Sequence, residues 1–166
     1  MGVGKSSIGR RLATTLGLPF QDADLVIEEA AGRTIPEIFD KLGETGFRDG
    51  ERRVISRLLD ESPHILATGG GAFVNSETRK LIKQKALSIW LKADLPVLAR
   101  RLGRKDNRPL LIGRDPLTVL KEQAAARYEA YGEADLVVET GDGPHSTAVD
   151  AVLEALRARA VENFNA

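Results

Sequence analysis

Gly4-Lys5-Ser6, followed at once by an amphipathic stretch, constrains this chain more than any other feature. Ile8, Leu12 and Leu16 stand four apart after Lys5, which predicts one apolar helical stripe, and Gly17 ends it. Gly-Lys-Ser at a helix entrance is the second half of a phosphate-binding loop, G-x-x-x-x-G-K-[ST]. Its glycines let backbone N–H groups close on phosphate, and the helix N-terminus adds partial positive charge. In such a loop Lys5 reaches the β- and γ-phosphates of a nucleotide and the Ser6 hydroxyl ligates Mg²⁺. The opening glycine of the motif belongs five places before Gly4, and so ahead of Met1, as does the strand that feeds such a loop. The reading frame is therefore expected to continue upstream, with about ten residues forming an apolar strand that ends in that glycine.

The rest of the chain alternates between two periods. Leu18-Pro19-Phe20 is a short extended stretch; helical patterns run from Asp24 to Gly32 and from Thr34 to Gly43, and return between Glu51 and Asp60. Thr34-Ile35-Pro36-Glu37 reads as a capping box with proline in the first turn. Strand candidates are His64–Ala67, Leu87–Leu91 and Leu136–Val138, and Ser76, Asp94, Asp115 and Ser146 are expected helix caps. Strands alternating with helices imply βαβ units, a parallel sheet and an α/β fold. A length of 166 residues fits one domain. Between Arg100 and Arg108 the pattern breaks: five basic residues face one acid, and the stretch reads as a mobile basic loop.

Composition removes several classes of protein. The absence of cysteine excludes disulfides and thiolate nucleophiles and fits a reducing, cytoplasmic setting. Two histidines, His64 and His145, are too few for a multi-histidine metal site. Twenty-four basic residues balance twenty-four acidic ones, so no global field draws the chain to nucleic acid or anionic membrane. No apolar run approaches the roughly 18 residues that span a bilayer. Soluble, monomeric action on small molecules is the expectation.

Three groups of residues could carry chemistry beside the phosphate loop. Asp22 and Asp24 follow a short strand at i and i+2, where parallel sheets bind ligands. One could hold Mg²⁺ through water and the other orient an attacking hydroxyl; equally, the pair could be a helix cap and a solvated neighbour. Gly69-Gly70-Gly71 either admits a close backbone approach or forms a flexible turn. Arg48, Arg108 and Arg127 suit carboxylate recognition through their planar forks, but spacing alone does not separate them from other basic residues. Phe39, Phe47 and Trp90 read as core, His64 as structural and His145 as solvated.

Taken in order, GVGKSSIGRRLA, DAD, the Phe47-Arg48 pair, TGGGAF, NRPLL and ARYEAY resemble the shikimate kinases, small P-loop kinases of the nucleoside-monophosphate-kinase type. The resemblance implies a P-loop NTPase fold with a parallel sheet in the order 2-3-1-4-5, helices on its faces and a mobile lid; the first strand is missing from the numbered chain. It implies a single kinase domain over residues 1–166, with a lid at about 104–115 and a substrate-binding region at about 22–60. It implies that Gly2, Val3, Gly4, Lys5, Ser6 and Ser7 hold the phosphates of ATP, with Ser6 and Asp22 near Mg²⁺. Asp24 would be the base and bind shikimate hydroxyls, and Arg48 and Arg127 would grip the shikimate carboxylate. Gly69, Gly70 and Gly71 line that pocket, with Phe39 and Phe47 on the ring. Lid Arg108 would meet the transferring phosphoryl group, and Arg101 and Pro144 would flank adenine. The activity implied is phosphorylation of the shikimate 3-hydroxyl, a step toward chorismate and the aromatic amino acids. A gluconate kinase, or an inactive truncated nucleotide-binding paralogue, is the alternative.

Overall fold

The structure is a computed structural model and describes residues 2–102 and 115–164. Arg108 and nearly all of the expected lid lie outside the described residues. The chain divides into two compact units, residues 12–88 and residues 1–11 with 89–166, with helix α1 (Lys5–Leu16) running through the division.

In residues 12–88, α1 ends as its sequence predicts. Gly17 takes φ 65°, Leu18 N–H donates to Ala13 O at 3.0 Å and Gly17 N–H donates to Thr14 O at 3.3 Å, the paired bonds of a left-handed helix stop. Strand β1 (Phe20–Asp22) starts two residues later than the extended stretch read from sequence, and α2 (Ala23–Ala31) follows without a loop. Helix α3 (Ile35–Leu58) opens on the expected capping box: Thr34 donates from N–H and Oγ1 to Glu37 at 2.8 and 2.7 Å. Gly43 ends the first helical piece of α3 as its sequence predicts: at φ 67° and ψ −178° it is non-helical, and beyond this kink the chain resumes helical geometry through the stretch that carries Phe47 and Arg48. Strand β2 (Ile65–Ala67) pairs in parallel with β1, Asp22 opposite Ala67. Helix α4 (Ser76–Lys85) is capped by Asn75 rather than Ser76, because the Asn75 carboxamide reaches the Glu77 and Thr78 N–H groups at 3.1 and 3.0 Å. Ile27, Ile38 and Phe47 form a buried cluster between α2 and α3.

The other unit holds β3 (Ile89–Lys92), α5 (Leu95–Leu102), α6 (Pro116–Tyr131), β4 (Leu136–Glu139) and α7 (His145–Phe164). Strands β3 and β4 are parallel, with Trp90 opposite Val137. Asp115 caps α6 by accepting from Thr118 N–H at 2.8 Å, as its sequence predicts. Helix α7 begins at His145, one residue before the expected cap Ser146. Trp90 sits edge-on to Tyr128, ring centroids 4.9 Å apart. The core here is Val3, Ala93, Leu98, Leu102 and Leu120.

The sheet read from the resemblance is thus present as two parallel pairs among the described residues, β1–β2 and β3–β4.

Candidate active site

The entrance to α1 is built by two left-handed glycines. Gly2 and Gly4 adopt φ 80° and 87°, a region costly for any residue with a Cβ, while Val3 between them is buried in the core with Leu98 and Leu102. The loop is therefore anchored by one apolar side chain and turned by two residues that have none. Gly4 O accepts from Ile8 N–H at 2.9 Å, so the helix starts immediately. The first N–H groups of a helix have no partner within it, and a short loop that ends in them is an anion cradle. Lys5 and Ser6 are half-buried at that entrance and Ser7 is exposed.

His145 is not merely solvated. Its ring lies against Gly4: a Cβ built on Gly4 would stand 2.8 Å from His145 Nε2, so this glycine is required by its neighbour as well as by its φ. The loop before α7 is tied back too. Arg101 donates to Gly141 O at 2.7 Å, and Arg100 pairs with Asp142 at 2.8 Å. Arg101 and the Gly141–Pro144 turn are thereby brought together, next to the chain segment that carries the phosphate loop.

A second group of polar residues gathers at the ends of β1 and β2. Asp22 caps α2, its Oδ1 accepting from Asp24 N–H at 3.2 Å, and Asp24 stands in the helix's first turn. A Cβ on Gly69 would lie 2.9 Å from Asp24 Oδ1 and 3.2 Å from Glu51 Oε1. On Gly71 a Cβ would collide with the guanidinium of Arg48. At these two positions acid and arginine side chains occupy the space that a side chain would need.

Sequence reasoning missed Glu51. It is 1% exposed, and Arg48 Nη1 donates to its Oε2 at 2.6 Å. Arg48 also stacks its guanidinium 5.0 Å from the Phe47 ring centroid and faces Glu44 at 3.6 Å. Glu51 orients Arg48 from behind, from one turn along α3. Phe39 lies stacked on Phe47 at 4.4 Å, and Phe47 belongs to the core cluster, as its sequence reading had it. Arg127 is half-buried on α6.

Burial pushes the Glu51 carboxyl above its ordinary value, against the pull of Arg48 and with a smaller push from Asp24. The unfolded chain then loses the Glu51 proton first as pH rises. The stabilising contribution of Glu51 is complete below its ordinary value of 4.5, falls as pH climbs toward the raised native value, and is level beyond it. Glu51→Gln is expected to flatten that segment of the pH–stability curve, read from urea midpoints between acid and neutral pH. Identical slopes for both proteins would show that Glu51 ionises as readily folded as unfolded.

The family model for shikimate kinase matches residues 1–157. The shikimate kinase of Caulobacter vibrioides strain NA1000 / CB15N is 70% identical over 157 residues, covering 95% of this chain and 78% of that protein. Among solved structures, a shikimate kinase from Acinetobacter baumannii in complex with shikimate superposes with a TM-score of 0.88 at 36% identity, over 96% of this chain and 89% of that one. A gluconokinase from Sinorhizobium meliloti reaches a TM-score of 0.67 at 22% identity, over 99% and 91% of the two chains, and shares the fold alone. A helix entered through left-handed glycines, with parallel strands between helices, is here the scaffold of a P-loop kinase. Within that class, the extent of the family match and the identity to its members place the chain plainly: it belongs to the shikimate kinase family.

Proposed function

We propose that this chain, acting as a single kinase domain, transfers the γ-phosphoryl group of ATP to the 3-hydroxyl of shikimate, giving shikimate 3-phosphate and ADP. The observation that carries the reading is the pair of buried Glu51 and half-buried Arg48 held beside Asp24 over Gly69 and Gly71. It combines a cation braced for a carboxylate with an acid placed for a hydroxyl.

Phosphoryl transfer depends on positioning and charge neutralisation more than on covalent chemistry. Arg48, with Arg127, takes the shikimate carboxylate. Asp24 accepts the hydroxyl proton as the oxygen attacks phosphorus; the bond from phosphorus to the β–γ bridging oxygen breaks, and ADP leaves with that electron pair. Lys5 and the N–H groups after Gly4 hold the phosphates, with Gly2, Val3, Ser6 and Ser7 shaping the loop. Arg108 neutralises charge on the moving group, and Arg101 and Pro144 flank adenine. Gly70, Phe39 and Phe47 complete the acceptor pocket.

Ser6 and Asp22 offer the hard oxygen donors that suit Mg²⁺. Among the described residues no group of three or more His, Cys, Asp or Glu could hold a metal ion. Bound there, Mg²⁺ would supply charge neutralisation to the nucleotide phosphates. The enzyme works as a cytoplasmic monomer on two small molecules, without nucleic acid or membrane. Its balance of acidic and basic residues supports this reading; no described helix is long and apolar enough to cross a membrane.

The test is ADP release with shikimate, with gluconate and with no acceptor. Release that depends on shikimate is expected. Equal rates with gluconate, or without acceptor, would overturn the proposal.

Gly71→Ala should leave the protein folded, because the clash meets the far end of a flexible side chain. The displaced Arg48 should raise the shikimate KM about tenfold, the effect of one lost charge-assisted hydrogen bond. Steady-state kinetics check this; an unchanged KM would mean that Arg48 is free to move without loss.

A further inference from the structure

We infer that Arg79 is a positioning residue for the acceptor pocket, fixing the glycine triplet from behind; the inference rests on the proposed shikimate site. Three consecutive glycines have no side chains to hold them and much chain entropy to lose. Part of their order comes from the residues next in the chain. Ala72 N–H donates back to Gly69 O at 3.2 Å, and Val74 and Asn75 N–H both donate to Gly71 O, at 3.1 and 3.3 Å. The triplet is thus tied to residues 72–75, and those are tied down in turn. Ala72 and Phe73 are buried. Arg79, half-buried one turn into α4, donates from Nη1 to both Phe73 O and Val74 O, each at 2.9 Å. Asn75 between them caps the same helix. One cation therefore holds two successive carbonyls at the foot of the loop whose other end meets Asp24 and Arg48. Hydrogen bonds from a charged donor are stronger than neutral ones, and their loss leaves both carbonyls short of a partner.

Loop order can be measured both with and without catalysis. In the full chain, Arg79→Met keeps the apolar stem but removes the donors, Arg79→Lys keeps the charge, and Lys80→Met on the exposed side of α4 is the control. Amide exchange in residues 69–74 should quicken about tenfold in Arg79→Met while α1 is unchanged. The shikimate KM should rise about tenfold, with kcat and the ATP KM within about twofold. Arg79→Lys should fall between, and it carries the same readouts if Arg79→Met does not fold. Lys80→Met should match the parent. Unchanged exchange at 69–74, exchange rising throughout the chain with both KM values moving together, or faster loop exchange with an unmoved shikimate KM would each overturn the inference. If the parent itself fails to phosphorylate shikimate, the functional reading falls and the exchange arm alone decides whether Arg79 holds the loop.

Discussion

Asp24→Asn is expected to slow shikimate phosphorylation by about 100-fold or more, with ATP affinity within about twofold of the parent; a positioned general base is worth about 10²–10⁴-fold. The substitution is nearly isosteric and spares the cap of α2, which belongs to Asp22. What it removes is the ability to take a proton. The Asp24 carboxylate reaches over Gly69, into the space that a Cβ on that residue would need. An amide there still accepts a hydrogen bond but leaves the attacking oxygen protonated. Single-turnover rates at saturating shikimate, with ATP binding measured separately, resolve the two effects. Near-normal turnover would leave Asp24 as a residue of the helix start and nothing more.

Arg48→Lys should raise the shikimate KM by about 10- to 150-fold, from the 1.5–3 kcal/mol cost of losing a charge-assisted hydrogen bond. The charge is conserved, so the loss must come from shape. Arg48 engages Glu51 through Nη1 and leans on Phe47, and its planar fork can do so while presenting another edge to a carboxylate. A lysine ammonium is a single point on a flexible stem, and the buried Glu51 carboxylate would compete for it. Arg127→Lys should weaken the same substrate without touching Glu51, separating loss of the fork from capture by the buried acid. Calorimetric titration of shikimate into each variant measures both; parental affinity in both would remove the arginines from the pocket.

Local chemistry made much of this protein legible. Gly2 and Gly4 take left-handed φ beside a lysine and serine that begin a helix, Thr34 and Glu37 form their capping box, and Asp115 caps α6. Each of these is decided within a few residues, where backbone sterics and one hydrogen bond settle the geometry. Gly43 follows that logic too, standing non-helical at the kink where its apolar stripe ends, and the logic stops just beyond it: a helical pattern reads again only from Glu51, yet the chain resumes helical geometry directly after Gly43. The chain beyond has its own buried set, Phe47, Glu51, Ile55 and Leu58, to place on the core side.

The candidate site divides along the same line. Asp22, Asp24, Arg48 and the glycine triplet could be picked out as residue types in an order, but their alternatives stayed open because a cap, a surface charge and a flexible turn use the same residues. Glu51 had no mark at all: it is one acid among twenty-four, on a helix whose neighbouring Arg52 and Arg53 are ordinary surface cations. The sequence by itself determined the phosphate loop at the start of α1, the helix ends and the alternation of strand and helix. Only the tertiary structure decided that Glu51 is buried against Arg48, that Asp24 and Arg48 fill the space over Gly69 and Gly71, and that His145 closes on Gly4. The physical reason is desolvation. Whether a charged group loses its water depends on what segments distant in the chain lay over it, and no local pattern records that.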